Sequence, residues 1–268
     1  MALTRREETA LARWRPAKNN LVNRTMAFIC VNLSKFILTK MNSLEIQRVE
    51  KFEALKERGG RGLLTFSNHT GLFDDPLLPS NFPLGNYDEI RWVAADALNF
   101  FSTWPTAFVF SSGKGVPVVR GAGFNQPGLD FLRDRLEEGH WVHIFPEGGR
   151  TRREDGLLSK EFKPGVGRLI AETNPIGLPF YHYGMHEVLP IGAKVPRWGK
   201  DVRVMFGDAI DFNDELVGRI AGTDEATQRG PGLWDALASY THQVLSDLER
   251  VVRSNSSALH NAEQKSGR

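Results

Sequence analysis

The chain predicts a single α/β domain, a mixed sheet flanked by helices, and three observations carry that expectation. Short apolar runs bounded by turn residues recur along it, and amphipathic stretches separate several of them. At 268 residues, 41% hydrophobic and 25% charged, it can bury one sizeable core. The runs end near Ser67, Ala95, Arg120, Phe145, Tyr181 and Phe206 and read as strands. Gln126–Glu138 reads as an intervening helix: Leu129, Leu132 and Leu136 form an apolar stripe, Asn125 and Pro127 mark its start, and Gly139 its stop. A second helix is expected over about 232–253, where Leu233, Leu237, Tyr240, Val244, Leu248 and Val251 keep helical spacing. Residues 254–268 are polar and read as a frayed tail.

The first 58 residues read as a basic, helical, membrane-associating region ahead of a main domain over 59–253. They carry twelve Lys or Arg against six Asp or Glu, while the whole chain is only +2. Such asymmetry suits anionic lipid headgroups. Within this region Leu21 to Met41 is apolar but interrupted by Asn23, Arg24, Asn32 and Lys35, and its uncharged stretch from Thr25 to Ser34 is short of the roughly 20 apolar residues a span needs. It is therefore expected to be an interfacial amphipathic helix. Two further segments suit lipid: Phe100, Phe101 and Trp104 with Phe108 and Phe110, and Met185 to Lys200, which mixes Leu189, Ile191, Val195 and Trp198 with Lys194, Arg197 and Lys200. The extreme N-terminus mixes Arg5, Arg6, Arg13 and Arg15 with Glu7 and Glu8 and does not read as a secretory signal. The expected location is peripheral to a membrane, mitochondrial in a eukaryote or cytoplasmic in a bacterium.

The chemistry concentrates at Ser67-Asn68-His69-Thr70-Gly71-Leu72-Phe73-Asp74. Leu63 to Phe66 is a buried strand in this reading, and Asp75-Pro76 a helix start with Asp75 as the N-cap. His69 and Asp74 thus leave one strand-to-helix junction. In a regular helix residues five apart diverge by about 140°, so the two meet only across a loop, which Gly71 eases. A neutral imidazole held by a carboxylate can take a proton from a hydroxyl as that hydroxyl attacks an acyl carbon. No Gly-x-Ser-x-Gly elbow is present, and the single Cys30 has no histidine near it in sequence, so direct transfer to a hydroxyl fits better than a covalent enzyme. One cysteine also excludes an intramolecular disulfide framework. His182 and His186 read as ordinary core or surface histidines; no metal and no nucleic-acid partner are expected.

Two more strand ends offer positive charge or an anion-binding turn. Trp141-Val142-His143-Ile144-Phe145 is followed by Pro146-Glu147-Gly148-Gly149-Arg150, and Gly113 to Val119 leads to Arg120. Adjacent glycines let backbone N–H groups approach an anion, and a guanidinium holds phosphate through two parallel hydrogen bonds.

The order of these motifs, His-x-x-x-x-Asp, then a strand ending in arginine, then Phe-Pro-Glu-Gly, resembles the glycerophospholipid acyltransferase family. The likeness covers about residues 60–210 and is greatest toward its phospholipid–lysophospholipid transacylases, through Ile90-Arg91-Trp92, Trp141-Val142-His143-Ile144-Phe145-Pro146-Glu147-Gly148 and Gly184-Met185 with Val188-Leu189-Pro190. The resemblance implies His69 as general base and Asp74 as its partner. It places Arg120, Glu147, Gly148, Arg150 and Lys163 around the phosphate and glycerol of the substrate. It further implies membrane phospholipids and lysophospholipids as partners, a cardiolipin-type remodelling role, a phospholipid donor and no cofactor. Arg150, directly after the glycines, is a feature of coenzyme-A-dependent relatives, so acyl-coenzyme A stands as the alternative donor; a non-catalytic lipid-binding module is the other alternative.

Overall fold

Each apolar run becomes a strand because a sheet covered by other layers on both sides hides such a segment on both faces. In the computed structural model, which describes residues 3–266 apart from 152, 154, 155 and 194, the strands are β1 (Ser43–Gln47), β2 (Leu63–Ser67), β3 (Trp92–Asp96), β4 (Gly115–Val118), β5 (Trp141–Ile144), β6 (Ile176–Tyr183), β7 (Asp201–Phe206) and β8 (Ile210–Asp211). They form one sheet in the order β1-β7-β6-β2-β5-β3-β4, with β8 beside the start of β6. The helices are α1 (Arg5–Arg13), α2 (Leu21–Phe36), α3 (Glu50–Glu53), α4 (Asp74–Leu77), α5 (Ala97–Phe100), α6 (Trp104–Ser112), α7 (Pro127–Glu137), α8 (Gly165–Thr173), α9 (Met185–Val188), α10 (Asp214–Ala221) and α11 (Gly230–Ser266).

Strand alternation sorts the core into two layers. Leu64, Phe66, Val142, Ile144 and Tyr181 pack with the helices on one side, against Leu132 of α7, Leu169 of α8 and Leu237 of α11. Leu63, Trp141, Leu178, Phe180, Val204 and Phe206 point to the other side, against Leu38, Phe52, Leu77 and Phe82. The register pairs Thr65 with His143 and Ser67 with Phe180, so the second layer also carries Thr65, Ser67, His143 and His182.

The sheet is two parallel blocks joined by the antiparallel β6–β7 pair. That reversal puts the starts of β1 and β7 on the same edge as the ends of β2, β3, β5 and β6. The residues after those four strands therefore share one rim.

The structure corrects several expectations. Residues 43–47, inside the region read as helical, are strand β1, parallel to β7. The last helix begins at Gly230 and continues to Ser266 instead of ending at Arg253. Asp75 is not the N-cap of α4: the helix already includes Asp74, Phe73 holds the cap position, and Asp75 has non-helical angles (φ −104°, ψ 125°). A π turn, Ile37–Met41, extends α2. The resulting 21-residue helix, Leu21–Met41, is long and apolar enough by length and composition to cross a membrane, contrary to the count of uncharged residues. Its Ala27 and Ser34 nevertheless pack inward, as does Leu38, while Leu21, Val22, Phe28, Ile29, Leu33 and Phe36 face outward.

Candidate active site

Strand β2 ends at Ser67, and the chain turns through Asn68–Phe73 into α4. His69 Nδ1 lies 3.0 Å from Asp74 Oδ2, which also accepts the N–H groups of Thr70 (2.6 Å) and Gly71 (2.8 Å). Gly71 is required for this wrap, because a Cβ there would stand 2.6 Å from Asp74 Oδ1. Asp74 is fully buried, which pushes its carboxyl upward. His182 nearby, the hydrogen bond from His69 and the Gly71 N–H outweigh burial, and the net direction is below the ordinary carboxylate range. An ionised Asp74 accepts from His69 Nδ1–H, so Nε2 is the basic nitrogen. The ring lines a cavity of about 100 Å³.

The turn after β5 grips His69 from the other side. Glu147 Oε1 accepts the His69 N–H at 2.7 Å, and the Thr151 N–H donates to the His69 carbonyl at 2.8 Å. Glu147 Oε2 takes the N–H (2.9 Å) and hydroxyl (2.6 Å) of Ser159. Burial raises the Glu147 carboxyl above its ordinary range against these hydrogen bonds. Both oxygens of this residue, read from sequence as a substrate contact, thus engage the protein and brace the base. The His69 ring stacks on Phe145, with centroids 4.1 Å apart.

The remaining sequence candidates meet at the same rim. Gly148 has φ +68°, and the Lys163 stem crosses it so closely that a Cβ would sit 2.8 Å from Lys163 Cγ. Arg120 lies against Gly149 and pairs with Asp96 at 3.1 Å. Arg150 is half-buried at the end of the turn, with no ion-pair partner among the described residues. The cavity joins His69 and Arg120 to an apolar wall of Val93, Phe100, Phe110 and Val118. Of the aromatics read as suited to lipid, Phe101 is core, whereas Trp104 and Phe108 are exposed. Leu189 is core, whereas Ile191, Val195 and Trp198 are exposed; Lys194 lies outside the described residues.

Two features escaped the sequence reading. Asp75 forms a buried two-pronged pair with Arg91, whose Nε donates to Asp75 Oδ2 at 2.6 Å and whose Nη1 donates to the Gly113 carbonyl at 3.0 Å. His182 is fully buried, with Nε2 2.9 Å from the Asn68 carbonyl and 3.5 Å from Asp74 Oδ2. Its signal was its place in β6, on the inward parity of Phe180.

A buried polar chain backs the dyad. Trp141 Nε1 donates to Thr65 Oγ1 (2.8 Å), which faces His143 Nδ1 (2.9 Å), and the Ser67 hydroxyl donates to the Asn68 carbonyl (3.1 Å). Burial first, and then Arg91, hold His143 well below the usual histidine value, so it is neutral at pH 7. The arrangement can hold one basic nitrogen, Nε2 of His69, in a mostly apolar hollow that Arg120 also lines.

Known proteins resemble this chain in sequence and in fold. Residues 43–186 match the acyltransferase family. The chain is 37% identical over 193 residues to tafazzin of Drosophila melanogaster, covering 69% of this chain and 50% of that one. It is 32% identical over 176 residues to an N-acylphosphatidylethanolamine synthase of Arabidopsis thaliana, covering 62% and 61%. These matches thus span half to three fifths of the relatives' lengths. The fold is shared with a 1-acyl-sn-glycerophosphate acyltransferase of Thermotoga maritima, at TM-score 0.56 and 18% identity over 85% of this chain and 79% of that one. The matched residues span more than half of the chain and carry both the dyad and the Phe-Pro-Glu-Gly turn, and the chain is a member of the acyltransferase family.

Proposed function

We propose that the protein is a membrane-peripheral O-acyltransferase that passes a fatty acyl chain from a phospholipid to the free hydroxyl of a lysophospholipid, as in cardiolipin-type remodelling. The observation that carries this is the His69–Asp74 hydrogen bond, which leaves Nε2 of a buried ring facing an apolar hollow. His69 Nε2 takes the proton of the acceptor hydroxyl as its oxygen attacks the donor's ester carbonyl. The tetrahedral intermediate then expels the lysolipid oxygen of the donor, to which the imidazolium returns the proton. Asp74 stabilises that imidazolium. Arg120, Arg150, Lys163 and the glycine turn hold phosphate, while Glu147 keeps the base in place. Holding hydroxyl, base and carbonyl together supplies much of the rate. The tafazzin relative and the glycerophospholipid resemblance support the phospholipid donor, and the phosphatidylethanolamine in the plant relative's name supports this lipid class.

A lipid surface is supported by the rim itself. Phe36 at the end of α2, Trp198 ahead of β7, and Leu98 and Trp104 after β3 are exposed apolar residues on elements that begin or end at the edge carrying His69. The N-terminal excess of Lys and Arg suits anionic headgroups.

The test is to incubate purified protein in vesicles with labelled phospholipid and unlabelled lysophospholipid, with and without acyl-coenzyme A. Label is expected to move between lipids without the coenzyme. Strict dependence on acyl-coenzyme A would assign the donor that Arg150 favours, and transfer with neither donor would leave a lipid-binding module.

A further inference from the structure

The carboxylate of the dyad touches two histidines. Asp74 Oδ2 receives His69 Nδ1 at 3.0 Å on one side and has His182 Nε2 at 3.5 Å on the other. The Asn68 side chain clamps the His182 backbone: Asn68 Oδ1 accepts the His182 N–H at 2.9 Å and Asn68 Nδ2 donates to the His182 carbonyl at 2.8 Å. These bonds lie just past the last β2–β6 pair, Ser67 with Phe180, and they tie the strand bearing His182 to the residue before His69. The imidazole Nε2 also reaches the Asn68 main-chain carbonyl at 2.9 Å. A carbonyl and a carboxylate are both acceptors, so Nε2 carries the proton, and Nδ1 is the unprotonated nitrogen of a neutral ring. That Nδ1 is buried without a hydrogen-bond partner among the described residues. A ring kept only to fill space would leave no such polar atom unsatisfied, since an apolar side chain fills the same volume without the desolvation cost. What imidazole adds here is the N–H.

We propose that His182 is a positioning residue for the dyad, sharing its Nε2–H between the Asn68 carbonyl and Asp74 Oδ2 and so holding the carboxylate that sets the tautomer of His69. The role rests on the general-base reading of His69. The shared proton draws negative charge from Asp74 without giving the site a second base. Asp74 Oδ2 also takes the Thr70 and Gly71 N–H groups, so three hydrogen bonds hold it and His182 Nε2–H, at 3.5 Å, adds a fourth positive dipole from β6 whose loss leaves the carboxylate more negative. The other titratable groups facing this cluster are His143 on β5, Glu147 after β5 and His186 on α9; Asp75, next in the chain, is neutralised by Arg91.

The test begins on the full-length wild-type chain labelled with ¹⁵N-histidine. Its NMR spectrum is expected to show His182 as the neutral Nε2–H tautomer between pH 6 and 8; an Nδ1–H tautomer would overturn the proposal. Two variants follow. His182→Leu removes the donor and is expected to lower kcat about tenfold with KM within about twofold, short of the hundredfold that a 1 Å misplacement can cost. The NMR titration of His69 and the acid limb of kcat/KM should move upward together, because Asp74 is then more negative beside His69. His182→Gln keeps an N–H and is expected to restore most of kcat. Equal losses in both variants, or a fall in kcat with the His69 titration unmoved, would show a merely structural role and overturn it. Should His182→Leu fail to fold, the wild-type tautomer still decides. The NMR measurements need no turnover, so a chain that transfers no acyl group from either donor would refute the proposed reaction separately from the placement of His182.

Discussion

His69 has one ring nitrogen committed to Asp74 and the other facing the cavity, so His69→Ala removes the proposed base. Transfer should fall by a factor of about 10² to 10⁴, the usual worth of a general base, with circular dichroism and vesicle binding unchanged. Retention of substantial single-turnover activity would reject the assignment. Asp74→Asn should be nearly as damaging, since an amide cannot stabilise imidazolium. Asp75 has a different part to play. Its sequence position suggests a helix cap that asparagine would replace without loss, but its side chain is 7% exposed and paired with Arg91 at 6%. Asp75→Asn leaves a buried guanidinium without its counter-charge, and about 3–5 kcal/mol of stability should be lost in urea titrations. The matched control is Asp208→Asn, whose side chain is 73% exposed and whose activity should equal wild type.

At the scale of elements, α8 and α11 cross with their backbones close together. A Cβ on Gly167 would stand 1.9 Å from the Trp234 carbonyl oxygen. Backbone cannot move aside as a side-chain tip can, so Gly167→Ala should cost about 1–3 kcal/mol by overpacking, read as a lower urea midpoint. The other element with a testable surface is α2, packed inward through Ala27 and Ser34 while Phe28 (69%) and Leu33 (56%) face out. If that face rests in a bilayer, the double variant Phe28→Ser, Leu33→Ser should lower sedimentation with anionic vesicles about tenfold or more, because burying one such side chain is worth about 1.5–3 kcal/mol. Raising salt should weaken binding further through the basic N-terminal region. Undiminished sedimentation of the double variant would remove α2 from the lipid contact.

Across the whole molecule, buried titratable groups tie stability to pH. Burial depresses both His143 and His182, with Asp74 opposing the effect at His182. The unfolded chain therefore takes up protons that the folded one refuses. Their contribution is present above the unfolded histidine value of about 6.5 and is lost as pH falls below it. Asp74, also depressed, contributes above about 3.9 and loses that contribution as pH falls through its folded value. Glu147 works the other way. Its raised carboxyl imposes a penalty at neutral pH that relaxes as the folded group takes its proton. The urea midpoint should accordingly drop between pH 7.5 and 5. An unchanged midpoint would mean that the histidine contribution is no larger than the opposing one from Glu147.

What the sequence determined is what lies within a few residues of itself. The central strand ends near Ser67, Ala95, Phe145, Tyr181 and Phe206 follow from apolar runs and the turns that stop them. The meeting of His69 with Asp74 follows from five residues and a glycine, because such a loop has few ways to close. The tertiary structure alone decided the pairings across distance. Arg91 reaches Asp75 from 16 residues away, and His182 meets Asn68 from 114 away. Glu147, legible as part of the Phe-Pro-Glu-Gly turn, proved to be directed at the His69 backbone and Ser159. Strand β1 has no apolar run of its own and is a strand because β7 offers it an edge. Spacing along a chain limits which neighbours can meet, but partners from different strands are selected by sheet order and register. Those depend on how all the apolar faces are buried together.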